Sequence, residues 1–215
     1  MIIHIVGGGP LTELPSLHNW NSPEIIWVGV DRGVYTLMKQ SISPKVAFGD
    51  FDSVSKEEFE EIKHNVEQVY RYHPEKDETD MELAYTWAIE QSPNKIRIFG
   101  ATGGRMDHFI ANIQLLIRKV TNKISCNVEI VDSKNTLVVF PPGEYTVDIE
   151  QEKRYISFFS MSEKVENLSL LGFKYELNRH SLQLGSTLCI SNELIQSSGT
   201  FSFTSGILLM VRSTD

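Results

Sequence analysis

The hydrophobic pattern of this 215-residue chain changes its period once, and that change constrains the fold more than any other feature. Up to about residue 140, short apolar runs alternate with stretches whose apolar residues recur every three or four positions. After Pro141-Pro142-Gly143 the helical spacing stops, and short apolar runs are separated by polar turns. We therefore predict an α/β domain over residues 1–140, with a mostly parallel sheet and flanking helices, and an all-β sandwich domain over residues 141–215.

The individual elements follow from the same pattern. Strands of the first part are expected near residues 2–6, 25–30, 46–48, 67–70, 96–99, 128–132 and 136–140. One helix is expected to begin at Thr79, which forms a capping box with Glu82, and another to follow Asp107. Strands of the second part are expected near residues 155–159, 168–170, 173–176, 187–191, 199–203 and 207–212.

Composition narrows the classes of partner and compartment. The chain has 28 acidic against 20 basic residues, a formal net charge of −8, which argues against direct binding to a nucleic-acid backbone. Its apolar runs are strand-sized, far below the roughly 20 residues that a membrane span needs. The N-terminus has no signal-peptide pattern, so we expect a cytoplasmic protein without a membrane partner. Cys126 and Cys189 lack metal spacing and are expected to be buried thiols.

Glycines and aspartates follow the predicted strands at the end where open α/β sheets bind ligands. A fifth segment of the same kind lies at the head of the capped helix. We expect all five to meet at one edge of the sheet. They are Gly7-Gly8-Gly9-Pro10, Asp31-Arg32-Gly33, Gly49-Asp50-Phe51-Asp52-Ser53, Lys76-Asp77-Glu78-Thr79-Asp80 and Gly100-Ala101-Thr102-Gly103-Gly104-Arg105-Met106-Asp107-His108.

These residue types indicate metal-assisted transfer of a phosphoryl-type group. Glycines and helix N-termini let backbone N–H groups approach phosphate oxygens. Carboxylates of Asp50, Asp52 and Asp80 would repel a bare polyphosphate, so their convergence calls for a hard cation such as Mg²⁺. Arg105 is a bidentate donor for phosphate charge, and Asp107 is close enough in sequence to orient it or to accept a proton. The chain contains no GxxxxGK[ST] motif, which excludes a P-loop mechanism.

Simpler interpretations of single residues stay open at this point. Asp80 could complement a helix dipole, Asp50-Phe51-Asp52 could be a turn, and Arg105 with Asp107 could be a solvated ion pair. For the whole protein, the alternatives are a Mg²⁺-dependent nucleotide phosphohydrolase or nucleotidyltransferase, and a non-catalytic nucleotide sensor. Asp80 and Asp107 are both candidates for the general base.

Three of the motifs, at residues 49–53, 76–80 and 103–108, resemble in order and spacing those of the thiamine pyrophosphokinases (thiamine diphosphokinases). Residues 185–193 and 198–203 are similar to the thiamine-binding β domain of the bacterial branch. The resemblance implies an enzyme that moves the pyrophosphoryl group of ATP onto the hydroxyethyl oxygen of thiamine, giving thiamine diphosphate and AMP. It also implies a homodimer with thiamine bound at the interface.

The resemblance assigns roles to individual positions. It implies Mg²⁺ ligands at Asp50, Asp52 and Asp80, and catalytic roles for Asp80, Arg105 and Asp107. Phe201 or Phe203 is a candidate to stack on thiamine, although both also suit the sandwich core. The residues expected to bind nucleotide or substrate are Gly8, Gly9, Asp31, Lys76, Asp77, Thr79, Thr102, Gly103, Gly104, His108, Ser191 and Asn192.

Overall fold

The chain divides into two compact units in a computed structural model that describes residues 1–52, 54–73 and 75–215. The first unit comprises Met1–Leu115 and Ile124–Ser133, and the second comprises Leu116–Lys123 and Lys134–Asp215. The first unit therefore ends at residue 133, and the strand at 135–140, which the sequence analysis assigns to the first domain, lies in the second unit. The reason is that the strand at 135–140 pairs antiparallel with the last strand of the chain.

The first unit contains six strands in which every neighbouring pair is parallel, as the alternating pattern predicts. The strand order is β6-β5-β1-β2-β3-β4. The chain leaves β1 in one direction and later crosses to β5 on its other side, which creates a topological switch point beside β1. The strands are β1 (Ile2–Val6), β2 (Ile25–Val30), β3 (Val46–Gly49), β4 (Gln68–Arg71), β5 (Lys95–Phe99) and β6 (Asn127–Val131).

Four α-helices connect or follow these strands. They are α1 (Arg32–Lys39), α2 (Lys56–Asn65), α3 (Asp80–Glu90) and α4 (Met106–Thr121), together with 3-10 turns at Leu11–Glu13 and Leu17–Trp20. The prediction contains α3 and α4 but not α1 or α2, although Ser55 and Glu58 form a capping box at the start of α2. Across the described ranges, no helix has both the length and the apolar character that crossing a bilayer requires.

The second unit is all-β, with its strands in two antiparallel layers. One layer has the order β12-β9-β14-β7 and the other β11-β10-β13-β8. Phe158, Phe173 and Phe201 lie in the core between them, with Cys189 nearby. The strands are β7 (Asn135–Phe140), β8 (Gly143–Asp148), β9 (Tyr155–Ser160), β10 (Lys164–Leu171), β11 (Leu177–Gln183), β12 (Asn192–Glu193), β13 (Ser198–Phe203) and β14 (Leu208–Ser213).

Several details of the predicted sandwich are wrong. Residues 173–176 and 187–191 are not strands: Phe173 forms only an isolated bridge with Leu194, and the second segment is a turn that ends at Ser191 with φ +55°. Phe201 and Phe203 are both buried in the core, so neither is available to stack on a ligand. Cys126 and Cys189 are both buried, as predicted.

Candidate active site

A cavity of about 720 Å³ lies in the first unit, where the loops after β1, β2, β3 and β5 meet the N-terminus of α3. Its volume is within the range of about 300–1,000 Å³ that ligand pockets occupy. The structure thus brings together most of the predicted site residues of this unit, while Asp52, Gly103 and Asp107 do not line the cavity. The predicted residues that line it are Gly8, Gly9, Asp31, Asp50, Lys76, Asp77, Thr79, Asp80, Thr102, Gly104, Arg105 and His108.

The loops after β1 and β5 touch through their backbones at the switch point. The N–H of Gly7 donates to the Phe99 carbonyl at 2.8 Å, and the N–H of Gly9 donates to the Gly100 carbonyl at 2.9 Å. A Cβ on Gly9 would lie 2.6 Å from the Gly100 oxygen, so a side chain there would separate the two loops. This contact alone requires a glycine at position 9, whether or not a ligand binds there. The cavity is lined at this point by backbone without side chains.

Asp31 is the most perturbed carboxylate of the cavity. It precedes α1 with φ +49°, a conformation that costs free energy for a residue with a side chain. Among the described residues, its Oδ1 atom has no hydrogen-bond partner. Burial, followed by the nearby charges of Asp80 and Asp50, raises the pKa of Asp31 to about 7. A carboxylate in this position favours a bound cation or a proton over remaining charged alone.

The first turn of α3 presents a charge pair to the same cavity. The Thr79 hydroxyl caps the helix by accepting a hydrogen bond from the Glu82 N–H at 3.1 Å, which is the N-cap half of the predicted capping box. Directly after the cap, Asp80 Oδ1 lies 3.0 Å from Lys76 Nζ, and both side chains are largely buried. Lys76 therefore offsets one of the negative charges that surround Asp31.

Asp50 and Asp52 lie in the turn after β3. The Asp52 N–H donates to Asp50 Oδ1 at 2.9 Å, which is the local turn that the simpler interpretation describes. Asp50 nevertheless lines the cavity, and both carboxylates act on Asp31 through their charge. Ser53, the last residue of this motif, lies outside the described residues.

The donor set fits a hard divalent cation. Mg²⁺ prefers carboxylate oxygens and usually retains water and phosphate ligands, so it needs few protein groups. The bare Oδ1 of Asp31 and the like charges around it are features that such an ion would relieve. Within the described part of the chain, however, no three acidic, thiol or imidazole side chains already stand in a metal-binding group.

Arg105 and Asp107 form an exposed bidentate pair at the start of α4. Arg105 Nε and Nη2 lie 3.1 and 2.5 Å from the two oxygens of Asp107, and the side chains are 73% and 63% exposed. The hydrogen bond from Arg105 lowers the pKa of Asp107 to about 2. Asp107 is therefore a weak proton acceptor, and the geometry favours the orienting role over that of a base.

Two buried polar side chains at the cavity are absent from the sequence prediction: Asn112, which lines the cavity, and Asp132, which contacts the lining residue Thr102. Asn112 Nδ2 donates to the Ala101 carbonyl at 3.0 Å, and the Thr102 hydroxyl donates to Asp132 Oδ2 at 2.8 Å. Asn112 lies one helical turn after His108 on α4, so helical spacing could have identified it. The sequence carries no comparable signal for Asp132, which pairs with a residue 30 positions away.

Ser191 and Asn192, which are predicted to contact the substrate, both lie in the second unit. Asn192 is buried, and its amide is occupied by backbone: Oδ1 accepts from the N–H groups of Tyr175 and Glu193, and Nδ2 donates to the Tyr175 carbonyl. Ser191 is exposed, and its N–H donates to Ser157 Oγ at 2.9 Å. Asn192 thus holds the segment around Tyr175 in place, and a direct contact between Asn192 and substrate stays a prediction.

Both parts of the chain match models of one protein family. Residues 17–128 match the model described as "Thiamin pyrophosphokinase, catalytic domain", and residues 144–208 match "Thiamin pyrophosphokinase, vitamin B1 binding domain". A thiamine pyrophosphokinase of Bacillus subtilis is 50% identical over 213 residues, which cover 99% of each chain.

Solved structures give the same result. A crystal structure of thiamine pyrophosphokinase from Bacillus subtilis superposes with a TM-score of 0.94, at 49% identity and full coverage of both chains. A second, from Geobacillus thermodenitrificans, has a TM-score of 0.92 at 49% identity and covers 100% of this chain and 98% of its own.

Proposed function

The chain belongs to the thiamine pyrophosphokinase family, and we propose that it transfers the pyrophosphoryl group of ATP to the hydroxyethyl oxygen of thiamine, giving thiamine diphosphate and AMP. The observation that carries this proposal is the cavity of the first unit, in which glycine backbone, five carboxylates, one lysine and two arginines line one space. A phosphohydrolase would need the same phosphate-binding groups, but it gives no role to a second domain of the vitamin B1-binding type.

ATP is the co-substrate of this family, and we propose that Mg²⁺ accompanies it. Asp50, Asp52 and Asp80 would hold the ion, with Asp31 near enough to contribute its bare oxygen. When bound, the ion supplies positive charge between the carboxylates and the polyphosphate. This accounts for an acidic protein with a phosphate-rich substrate.

The chain's own residues position the groups and neutralise charge. Arg105, oriented by Asp107, would face the transferred pyrophosphoryl group, while Lys76, Gly8 and Gly104 would meet the phosphate chain. A loose phosphoryl-type transition state requires little activation of the attacking alcohol. The low pKa of Asp107 and the expected metal contact of Asp80 make both of them weak bases, so a strong general base is not part of the proposal.

The remaining assignments are also proposals. The second unit would bind thiamine with the help of Ser191 and Asn192, in a homodimer whose substrate site lies at the interface. The buried free thiol of Cys189 agrees with a reducing compartment, which supports a cytoplasmic location.

The direct test is to incubate the protein with ATP, Mg²⁺ and thiamine and to separate the products by chromatography. We expect thiamine diphosphate and AMP in equal amounts. ADP or free phosphate as the main product would contradict the proposal, and ATP binding without turnover would favour the nucleotide sensor.

Replacement of a proposed metal ligand provides the matched variant. Asp50→Asn keeps the size of the side chain but removes its charge, so turnover should fall by about 100-fold or more while circular dichroism stays unchanged. Asp148→Asn, an exposed site in the second unit, is the control and should retain full activity. If Asp50→Asn retains wild-type rates at limiting Mg²⁺, Asp50 is not a metal ligand.

A further inference from the structure

The loop after β5, residues 100–105, is held by two side chains outside it: Asn112, which itself lines the cavity, and Asp132, which does not. We call residues 100–105 the glycine loop. Gly100, Ala101, Thr102 and Gly104 of this loop line the cavity. Two consecutive residues are restrained: Ala101 through its carbonyl by Asn112 of α4, and Thr102 through its hydroxyl by Asp132, directly after β6.

The Thr102–Asp132 hydrogen bond is buried at both ends. Thr102 is 9% exposed and Asp132 is 3% exposed, with Oγ1 and Oδ2 2.8 Å apart. A carboxylate removed from water is costly unless it accepts hydrogen bonds, so this contact is strongly favoured over an unpaired arrangement. The proton of the Thr102 hydroxyl is therefore directed to Asp132, away from any phosphate oxygen.

This hydrogen bond changes the role that we assign to the Thr102 side chain, which the sequence suggests as a direct ligand of the nucleotide. Backbone N–H groups stabilise the charge of a polyphosphate best when they are already in position before the ligand binds. A displacement of about 1 Å can lower the reaction rate by about 100-fold. Gly103 has φ +75° and Gly104 has no side chain, so the glycine loop has little stiffness of its own. Its shape must come from restraints on the neighbouring residues.

We propose that Asp132 is a positioning residue for the nucleoside triphosphate: through the Thr102 hydroxyl it fixes the glycine loop in the form that binds the polyphosphate. Asn112 supports the same loop independently, through Ala101. The inference rests on the proposed function for the identity of the ligand, but it concerns nucleotide binding and not the transfer step.

Four variants test the hydrogen bond. Thr102→Val keeps the shape of the side chain and removes the hydroxyl, whereas Thr102→Ser retains it. Asp132→Ala removes the acceptor, whereas Asp132→Asn keeps an oxygen that can accept from Thr102. Thr204→Val is the control, because it removes a threonine hydroxyl that accepts from Asn167 at an exposed site of the second unit.

Two measurements are made on each variant: calorimetric titration with ATP and Mg²⁺, and the separate KM values for ATP and thiamine. Thr102→Val and Asp132→Ala should each weaken ATP binding and raise the ATP KM about tenfold, the effect of losing one buried hydrogen bond. The thiamine KM should stay within about twofold of wild type. Thr102→Ser and Asp132→Asn should retain most of the affinity for ATP. The double variant Thr102→Val with Asp132→Ala should bind ATP no more weakly than whichever of its two single variants binds more weakly.

Melting temperatures separate this role from a purely structural one. If Asp132→Ala does not fold, Thr102→Val with its serine counterpart decides the question alone. The inference is overturned if Thr102→Val binds ATP as tightly as wild type, if both KM values rise together, or if Thr204→Val has the same effect. If wild type binds ATP but forms no thiamine diphosphate, the proposed function fails while the calorimetric comparison still tests the role of Asp132.

Discussion

His4 occupies a row of side chains that crosses four neighbouring strands of the first unit. In the strand register it lies opposite Trp27 on one side and Arg97 on the other, and Arg97 lies opposite Glu129. His4 is fully buried, with Nε2 3.2 Å from Arg97 Nη1. Burial, then the charges of Arg97 and Lys95, lowers the pKa of His4 to about 3.

This pKa predicts a stability that depends on pH. An unfolded histidine titrates near 6.5, so between pH 6.5 and 3 the unfolded chain binds a proton that the folded chain does not. The contribution of His4 to the free energy of unfolding should therefore be fully present above pH 6.5 and about 3 kcal/mol smaller at pH 4, while Asp31, whose pKa is raised, changes stability in the opposite direction. Urea titrations at pH 7 and pH 4 should show that His4→Gln loses about 3 kcal/mol less over this interval than wild type, because both proteins retain Asp31. His180→Gln, at an exposed site of β11, should behave as wild type, and equal losses in all three proteins would refute the role of His4.

Asp31 predicts an opposition between stability and activity. Asp31→Asn keeps the shape and tolerates φ +49°, but it removes a charge that burial and three neighbouring carboxylates disfavour. Without ATP and Mg²⁺, the variant should be about 1–2 kcal/mol more stable than wild type, measured by denaturant titration at pH 8. Formation of thiamine diphosphate should fall at least about tenfold. Asp77→Asn, an exposed residue of the same cavity, should change stability by less than about 0.5 kcal/mol, and a destabilised Asp31→Asn would contradict the argument.

At the scale of elements, α1 packs closely against β1 at Gly33. A Cβ on Gly33 would lie 1.9 Å from the Val6 carbonyl oxygen, whereas a Cβ on Gly8 would have its nearest neighbour at an ordinary 3.6 Å. Gly33→Ala should therefore push α1 away from the sheet and lower the free energy of unfolding by about 3 kcal/mol or more. Gly8→Ala should leave it within about 1 kcal/mol. Thermal and urea unfolding compare the two directly, and an equal effect of both substitutions would show that the contact at Gly33 relaxes freely.

Elements with strong periodicity could be predicted from sequence, and those formed by pairing alone could not. The strands β1, β2 and β5 are apolar and central, and each is predicted within one or two residues. By contrast β11, at Leu177–Gln183, is polar and mostly exposed, so its only strand signal is its pairing with β10. The segment 187–191 shows the reverse: it has apolar residues, but Leu188 and Ile190 are exposed beside the buried Cys189 in a turn.

For the whole molecule, the convergence of the loops was more predictable from sequence than the pairing partner of the strand at 135–140. Parallel strands bring their carboxyl ends together, so loops that follow them converge whatever their separation along the chain. The unit to which residues 135–140 belong depends instead on the strand with which they pair. That strand is β14, whose residues lie about 70 positions away along the chain. The Thr102–Asp132 bond was missed for the same reason, because nothing local marks a long-range polar pair.

The proposed dimer leads to a prediction about the second unit. Leu171, Tyr175 and Ile195 are 57%, 61% and 61% exposed, and they lie on neighbouring segments because the Ile195 N–H donates to the Gly172 carbonyl. A second copy of the chain would cover such apolar side chains. Ile195→Glu should shift the protein toward monomers in sedimentation velocity and lower thiamine diphosphate formation. Leu11→Glu, at a 68% exposed position in the first unit, is the control, and an unchanged sedimentation coefficient for Ile195→Glu would exclude this surface from the interface.

The strained, charged position of Asp31 also bears on laboratory evolution. A selection for heat resistance carried out without substrate rewards any change that neutralises Asp31, because the penalty of that carboxylate is then removed and nothing of value is lost. Such a selection would enrich inactive variants among the most heat-resistant proteins. Libraries built on this scaffold should therefore keep position 31 fixed, or be screened with nucleotide and Mg²⁺ present, so that durability and turnover are selected together.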